Sequence, residues 1–326
     1  MPFSLTGLIN DWLVDVARDP WPFIMPLAFV ILAALLYGLG ARYTRQTGIG
    51  RPVTTLQASA FAAGLLIALL AVASPFDALA DESLPAHMVQ HELLIWIAAP
   101  LLLLGAPIWP LWRALPLSWR RGSLRWLLGR RWSRQTLTWL GHMGSKPLVA
   151  WLLFIVVLLV WHLPPLYDLA LEHEAIHALE HLSFLGVALI FWAQVIPSFP
   201  LRAQLSYLKR AGYLFGAALV MHVFAIFIDI AATPIYSYYG SGPNAVAMQS
   251  AAGAIMDLSS QVVFTIGILT CLWLWLRQDE RAGLAATEEA TAEDERAAPA
   301  NLTASGALLI AEADLAEARR ADTTGG

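Results

Sequence analysis

The sequence has very little charge and almost no cysteine. Only 13% of its 326 residues are charged, about half the share in soluble domains, whereas 58% are hydrophobic and the mean hydropathy is +0.60. This composition excludes an ordinary cytosolic enzyme, a nucleic-acid binder and a disordered scaffold. The single cysteine, Cys271, excludes an intramolecular disulfide framework and any metal site built from a cluster of cysteines.

The N-terminus also lacks the marks of a removable signal peptide. No basic region precedes an apolar stretch there, and no small-residue cleavage site follows, so no cleaved leader is expected. Apolar residues instead recur at helical spacing through residues 1–21, with Asp11 and Asp15 on the other face. The pattern predicts a periplasmic amphipathic segment that lies at the membrane interface.

Long apolar runs dominate the rest of the chain. A helix needs about 20 mostly apolar residues to cross a bilayer, and seven stretches meet this requirement. The predicted fold is therefore all-α: a polytopic membrane protein with a seven-helix transmembrane domain over residues 22–276. The predicted spans cover about residues 22–40, 55–75, 86–111, 147–163, 172–196, 208–232 and 252–276.

Basic residues are divided unevenly between the loops. They are concentrated in loops 41–52, 113–146 and 198–210 and directly after the last span, whereas the opposite side holds only Arg18. Because basic loops stay cytoplasmic, we expect the N-terminus outside and the C-terminus inside. The loop 113–146 mixes tryptophan with arginine, and next to two spans this favours contact with lipid headgroups. The lipid bilayer is thus an expected partner, and nucleic acid is not.

The last 50 residues differ in composition from the rest. Residues 277–326 hold 5 basic and 11 acidic side chains and are rich in alanine. This composition predicts an acidic, largely disordered cytoplasmic tail with at most a short helix near 306–320.

Histidines are concentrated at the predicted outer face. His87 and His91 are four residues apart at the start of the third span, so their imidazoles share one helix face. His162 closes the fourth span at the same side. Histidines are costly inside a membrane and usually serve a function there. Neutral imidazoles on neighbouring helices are good metal ligands, so the pattern predicts a metal site.

A second group of histidines follows at the same spacing. His173, His177 and His181 form one stripe on a helix that is predicted to run from Asp168 to Gln194. The stripe extends from the headgroup region into the membrane, as expected of a path towards a metal site.

Several further side chains are weaker candidates for this site. His222 lies in the outer half of the sixth span, and thioethers such as Met88 and Met256 favour Cu(I). Carboxylates within the spans are expected to bond the second nitrogen of a ligating imidazole. These carboxylates are Glu92, Glu180, Asp229 and Asp257.

Two stretches of the sequence resemble a known family. They are HMVQHELLIWIAAPLLLLGAP (87–107) and WHLPPLYDLALEHEAIHALEHLSFLGVALIFW (161–192), with weaker similarity in PIYSYY (234–239). They resemble the CtaG family of cytochrome c oxidase assembly factors, and the resemblance covers about residues 55–276. One position departs from the family pattern, which leads us to expect an aromatic residue near Asp257.

The resemblance implies a function and a ligand set. It implies a non-enzymatic, multi-pass protein of the bacterial plasma membrane that handles copper, as Cu(I) or Cu(II), for cytochrome c oxidase. Cytochrome c oxidase subunits and a periplasmic copper chaperone are the implied partners. The residues at the family's histidine positions are His87, His91, His162, His177 and His181, and the weaker candidates for metal ligands are His173, Met88, His222 and Asp257.

Two other functions use histidine pairs in membranes and stay open at this stage. One is a metal-dependent membrane enzyme, either a seven-span hydrolase of the ceramidase and haemolysin-III type or a di-iron desaturase, with a metal-activated water or oxygen. Asp77, Asp81 and Ser83, near His87, keep the hydrolase open. The other is a haem-b electron carrier with two histidine ligands.

Overall fold

A computed structural model describes residues 5–130, 146–200 and 204–297. Within these ranges the chain forms helices joined by short connections, and it contains no strand. The helices are α1 Leu5–Arg18, α2 Trp21–Thr47, α3 Thr55–Val72, α4 Pro75–Glu82, α5 Leu84–Leu104, α6 Ile108–Ala114, α7 Leu117–Gly129, α8 Pro147–Trp161, α9 Pro164–Glu172, α10 Glu174–Trp192, α11 Tyr207–Asp229 and α12 Pro243–Ala297.

Six of these helices are long and apolar enough to cross a bilayer, namely α2, α3, α5, α10, α11 and α12. A seventh span is present if α8 and α9 count as one, although they are bent by 71° at a short break. The predicted all-α class is confirmed, and each predicted span overlaps one of these helices. The count of seven spans and the orientation in the membrane stay predictions.

The described chain divides into two compact units, the first ending at Leu272 and the second beginning at Trp273. In the first unit, α5 is the central helix. Of the residues in its apolar 18-residue stretch, 67% are buried, whereas only 11% are buried in the corresponding stretch of α2. Side chains from α8, α10, α11 and α12 pack against α5 and form the main core. This core includes Ile95, Trp96, Phe154, Phe184, Phe191, Leu214 and Phe264.

A π-helical segment, Leu93–Ala98, interrupts the α-helical pairing of α5 directly after its two histidines. Short π segments are common at functional sites because they shift the side-chain register of a helix. The Trp192 indole N–H donates to the Ile95 carbonyl at 3.0 Å and ties this segment to α10. The Ser259 hydroxyl of α12 donates to the Glu92 carboxylate. The middle of α5 is thereby held against two neighbouring helices.

Three segments between the long helices, two of which contain the short helices α4 and α9, pack together beside the N-terminal end of α5. They are residues 73–83, 162–173 and 230–242, all predicted at the outer face. The Tyr239 hydroxyl donates to the Ala80 carbonyl at 2.9 Å, and the Tyr236 hydroxyl donates to the His162 carbonyl at 3.2 Å. The connection 230–242 therefore joins the other two.

The helix predicted from Asp168 to Gln194 is wrong. The chain breaks at His173, whose extended backbone (φ −134°, ψ 107°) separates α9 from α10. Pro164 and Pro165 start α9 at a sharp angle to α8. The Asp168 carboxylate then accepts hydrogen bonds from Ser237, including one of 2.5 Å from its hydroxyl. These hydrogen bonds join α9 to the connection 230–242, far along the chain.

The N-terminal end of the chain forms a helix as predicted, whereas part of the predicted C-terminal tail differs from its prediction. Helix α1 forms where the N-terminal amphipathic segment was predicted. Residues 277–297 belong to the predicted disordered tail, yet they continue α12 as a helix. Alanine, glutamate and arginine, which are frequent there, have high helix propensity. The short helix predicted near 306–320 lies outside the described residues, and the three domain boundaries stay predictions.

Candidate metal centre

Five imidazoles and one carboxylate meet beside the N-terminal end of α5. We call these six residues the histidine cluster: His87, His91, His162, His177, Glu180 and His181. Neighbouring ring centroids are separated by 4.4 Å for His87 and His91, 5.0 Å for His87 and His177, and 4.3 Å for His177 and His181. The structure thus brings together all five histidines at which the resemblance placed ligands.

The helices account for this arrangement. His87 and His91 are one turn apart on α5, and His177 and His181 are one turn apart on α10, so each pair presents two rings on one face. Packing of α5 against α10 brings the two faces together, with a centroid distance of 5.3 Å between His91 and His181. His162 lies directly after the last residue of α8, 6.1 Å from His91 by ring centroids.

Many polar atoms of the histidine cluster are buried without a hydrogen-bond partner. They are Nε2 of His87, His162, His177 and His181, both ring nitrogens of His91 and both carboxylate oxygens of Glu180. An unpaired buried polar group costs about 1–3 kcal/mol. Eight such atoms at one place are therefore the strongest structural sign that this site takes a ligand.

The spacing of these atoms suits a metal ion. Nε2 of His87 lies 3.9 Å from Oε2 of Glu180, and Nε2 of His91 lies 3.8 Å from Oε1. Ligand atoms about 2.1 Å from a tetrahedral metal are about 3.4 Å apart, so small side-chain movements bring these atoms to bonding distance. Two sets have all ligand atoms within 4.8 Å of one another: His87, His177 and His181, and His87, His91 and Glu180.

Hydrogen bonds at Nδ1 favour the tautomer of His87 that leaves Nε2 unprotonated and able to bind a metal. The Tyr239 hydroxyl donates its proton to the Ala80 carbonyl, so its oxygen accepts the Nδ1–H of His87 at 3.0 Å. The Tyr167 hydroxyl lies 3.2 Å from the same nitrogen. With its proton on Nδ1, the His87 ring directs an unprotonated Nε2 into the histidine cluster. A ligating histidine is commonly oriented in this way through its second nitrogen.

His162 is held in the same tautomer by its own helix. Its Nδ1–H donates to the Leu158 carbonyl at 2.8 Å, which leaves the Nε2 lone pair free. Because the acceptor is a backbone carbonyl one turn earlier, α8 itself orients this ring.

The structure separates the four weaker candidates from the histidine cluster. His173 is exposed at the junction of α9 and α10. Met88 is buried in an apolar group with Leu84 and other side chains. His222 and Asp257 pair with each other at 2.8 Å, with side chains 45% and 29% exposed. In the described part of the chain, no hydrogen bond, ion pair or ring contact joins this pair to the cluster. Whether any of the four binds metal stays a prediction.

Three residues of the site have positions that the sequence analysis did not assign. Glu180 was expected to bond the second nitrogen of an imidazole, but it faces the Nε2 atoms of His87 and His91. Tyr167 and Tyr239 occupy the position expected for that carboxylate, beside Nδ1 of His87. The signal for Tyr239 was its place in PIYSYY, and the signal for Tyr167 was its place among the family motifs. Neither signal shows which ring nitrogen a hydroxyl contacts.

An acidic side chain of α4 supports α5 from outside the histidine cluster. The Gln90 side-chain amide donates to Asp77 at 2.6 Å and to the Ala71 carbonyl at 2.7 Å. Burial raises the pKa of Asp77 to about 7, with a smaller contribution from the neighbouring charge of Asp81. Burial likewise raises the pKa of Asp81 to about 6.

We expect Asp77→Asn to change the pH dependence of stability. Because its folded-state pKa lies above the ordinary 3.8, Asp77 keeps its proton between pH 4 and 7 while the unfolded chain loses it, so stability falls as pH rises. The asparagine variant should match the wild type near pH 4 and be more stable at pH 8, by on the order of 2–4 kcal/mol. Thermal unfolding in detergent from pH 4 to 8 measures this, and a difference independent of pH would contradict it.

A bundle of apolar, span-length helices around a buried cluster of imidazoles and a carboxylate defines the class: an all-helical protein with several candidate membrane spans and a candidate metal centre. The sequence pattern of one family, the cytochrome c oxidase caa3 assembly factors (Caa3_CtaG), matches residues 35–278. The chain belongs to this family, as its two histidine motifs suggested.

Curated relatives come from mycobacteria. Uncharacterized proteins of Mycobacterium bovis and Mycobacterium tuberculosis are each 27% identical over 263 residues, covering 77% of this chain and 38% of their own length. One of Mycobacterium leprae is 27% identical over 268 residues, or 79% of this chain and 39% of that protein. The chain therefore spans about two fifths of the length of these relatives. No solved structure matches it.

Proposed function

We propose that this assembly factor binds copper in the histidine cluster and delivers it to a cytochrome c oxidase. The observation that supports this most is the group of eight buried and unpaired donor atoms on His87, His91, His162, His177, Glu180 and His181. A bound ion gives these atoms the partners that the protein alone does not provide. Copper is the cargo in this proposal, and the family's association with a cytochrome c oxidase favours copper over other metals.

The donor set favours the oxidised form of the ion. Imidazole and carboxylate ligands suit Cu(II), whereas Cu(I) prefers thiolate and thioether sulfur. Met88, the nearest thioether in sequence, is packed among apolar side chains such as Leu84. We therefore expect Cu(II) to bind more tightly than Cu(I). In the predicted orientation, the histidine cluster lies towards the periplasmic ends of its helices, where a copper chaperone would supply the ion.

Elemental analysis tests the binding step. The full chain is purified in detergent without a histidine tag, loaded with Cu(II) and compared with a His91→Ala/His181→Ala variant. We expect stoichiometric copper in the wild type and its loss in the variant, while exposed His173→Ala keeps it. Wild-type protein that takes up no copper would overturn the proposal. A Soret band in the visible spectrum would do the same, since it would assign haem to the site.

Oxidase activity in cells tests the delivery step. Deletion of the gene should lower cytochrome c oxidase activity when copper is scarce, and added copper should partly restore it. The wild-type gene should complement the deletion, whereas the His91→Ala/His181→Ala gene should not, at equal protein levels in the membrane. Unchanged oxidase activity after deletion would contradict delivery to the oxidase.

A further inference from the structure

We propose that the histidine cluster holds two metal ions. The first is bound by His87, His177 and His181, and the second by His91, His162 and Glu180. This inference rests on the proposed function in one respect only, that the cluster binds metal.

The number of donor atoms is too large for one ion. A four-coordinate ion takes four ligands, but eight buried atoms of the histidine cluster have no hydrogen-bond partner. One ion would leave the other atoms buried and unpaired, which folded proteins generally avoid. Two ions with three protein residues each use all six side chains.

The Glu180 side chain is oriented as a carboxylate between two ions would be. Its Oε1 lies 3.8 Å from Nε2 of His91, whereas its Oε2 lies 3.9 Å from Nε2 of His87. The two oxygens thus face imidazoles that we assign to different ions. In two-metal sites the ions lie about 3.5–4 Å apart, a separation that one carboxylate can bridge.

The tautomers of the histidines help to determine which of the two ions each side chain binds. His87 has only Nε2 to offer, because its Nδ1 is bonded to Tyr239, so it serves one ion. His177 and His181 lie with it in one compact set. His162 also has only Nε2 to offer, because its Nδ1 is bonded to the Leu158 carbonyl, and its ring centroid lies 6.1 Å from that of His91. His162 is the remaining histidine of the cluster, and we assign it to the second set with His91 and Glu180. Unlike the two compact sets, this one does not have all its ligand atoms within 4.8 Å of one another, so His162 has to move towards His91 when the ion binds.

Copper stoichiometry tests the number of ions. The full chain in detergent is titrated with Cu(II) in a glycine buffer, and bound copper is measured by equilibrium dialysis and mass spectrometry. We expect two ions per wild-type chain, one in His162→Ala and one in His177→Ala. His173→Ala and His222→Ala, whose imidazoles have no described contact with the cluster, should keep two. A saturating value of one in the wild type would overturn the inference.

Electron paramagnetic resonance provides a second, spectroscopic readout of the number of ions. Two Cu(II) ions bridged by a carboxylate couple magnetically, so fully loaded wild-type protein should give less signal than its copper content. His162→Ala should restore the full signal of an isolated Cu(II). A full, uncoupled signal from two bound ions would overturn the shared centre. One bound ion would overturn this inference and leave the proposed function standing, whereas no bound ion would overturn both.

Discussion

Replacement of His87 by alanine is expected to reduce copper affinity at the histidine cluster by more than about 100-fold. His87 belongs to both compact ligand sets of the structure, and its ring is held with Nε2 directed at them. Loss of a residue that merely orients a ligand costs about 10–100-fold, and loss of the ligand itself should cost more. Isothermal titration of the full chain with Cu(II) measures the change.

Two matched variants show whether the effect comes from the ligand. Tyr239→Phe removes the acceptor of the His87 Nδ1–H and should weaken copper binding by about 10–100-fold. Ser237→Ala loosens the same connection at its bond to Asp168, but it leaves the His87 contact in place and should have little effect. Wild-type affinity in His87→Ala would exclude this histidine as a ligand.

Replacement of Glu180 by leucine is expected to stabilise the metal-free protein and weaken its copper binding. The Glu180 side chain is fully buried, and neither of its oxygens has a hydrogen-bond donor. An apolar side chain of similar size removes this cost, so the free energy of unfolding should rise by about 1–3 kcal/mol. Thermal unfolding in detergent with a chelator present measures the stability, and copper titration measures the loss of binding.

The two opposite effects distinguish a binding residue from a structural one. Glu174, an exposed residue in the first turn of the same helix, provides the control: Glu174→Leu should change stability by less than about 0.5 kcal/mol and leave copper binding unchanged. If Glu180→Leu lowers the stability of the metal-free protein and keeps full copper binding, the residue serves the fold rather than the metal.

The positions of the helices could be predicted because they depend on local properties of the chain. Each span needs enough consecutive apolar residues to cross the hydrocarbon, and this is visible in the hydropathy of α3, α5 and α11. The break at His173 could not be predicted in this way. The helix before the break is bonded through Asp168 to Ser237, 69 residues further along the chain, and no local pattern reports such a contact.

The histidine cluster could likewise be predicted only in part. Spacing along one helix predicts that His87 and His91 share a face, and the family motifs indicate which histidines belong together. Spacing does not predict that Glu180 faces their Nε2 atoms, or that hydroxyls of Tyr167 and Tyr239 lie at Nδ1 of His87. Those contacts join α5 to α9 and to the connection 230–242.

The sequence by itself therefore determined the helical class and the positions of the apolar helices, because hydropathy and helical periodicity act over a few neighbouring residues. The resemblance to the family indicated the five histidines. Only the tertiary structure decided which atoms face one another and which tautomers they adopt. Packing of α5 against α8 and α10 buries Glu180 and the cluster nitrogens without partners. The reason is physical: desolvation and hydrogen bonding depend on distances between segments far apart in the chain, and these distances exist only once the helices have packed.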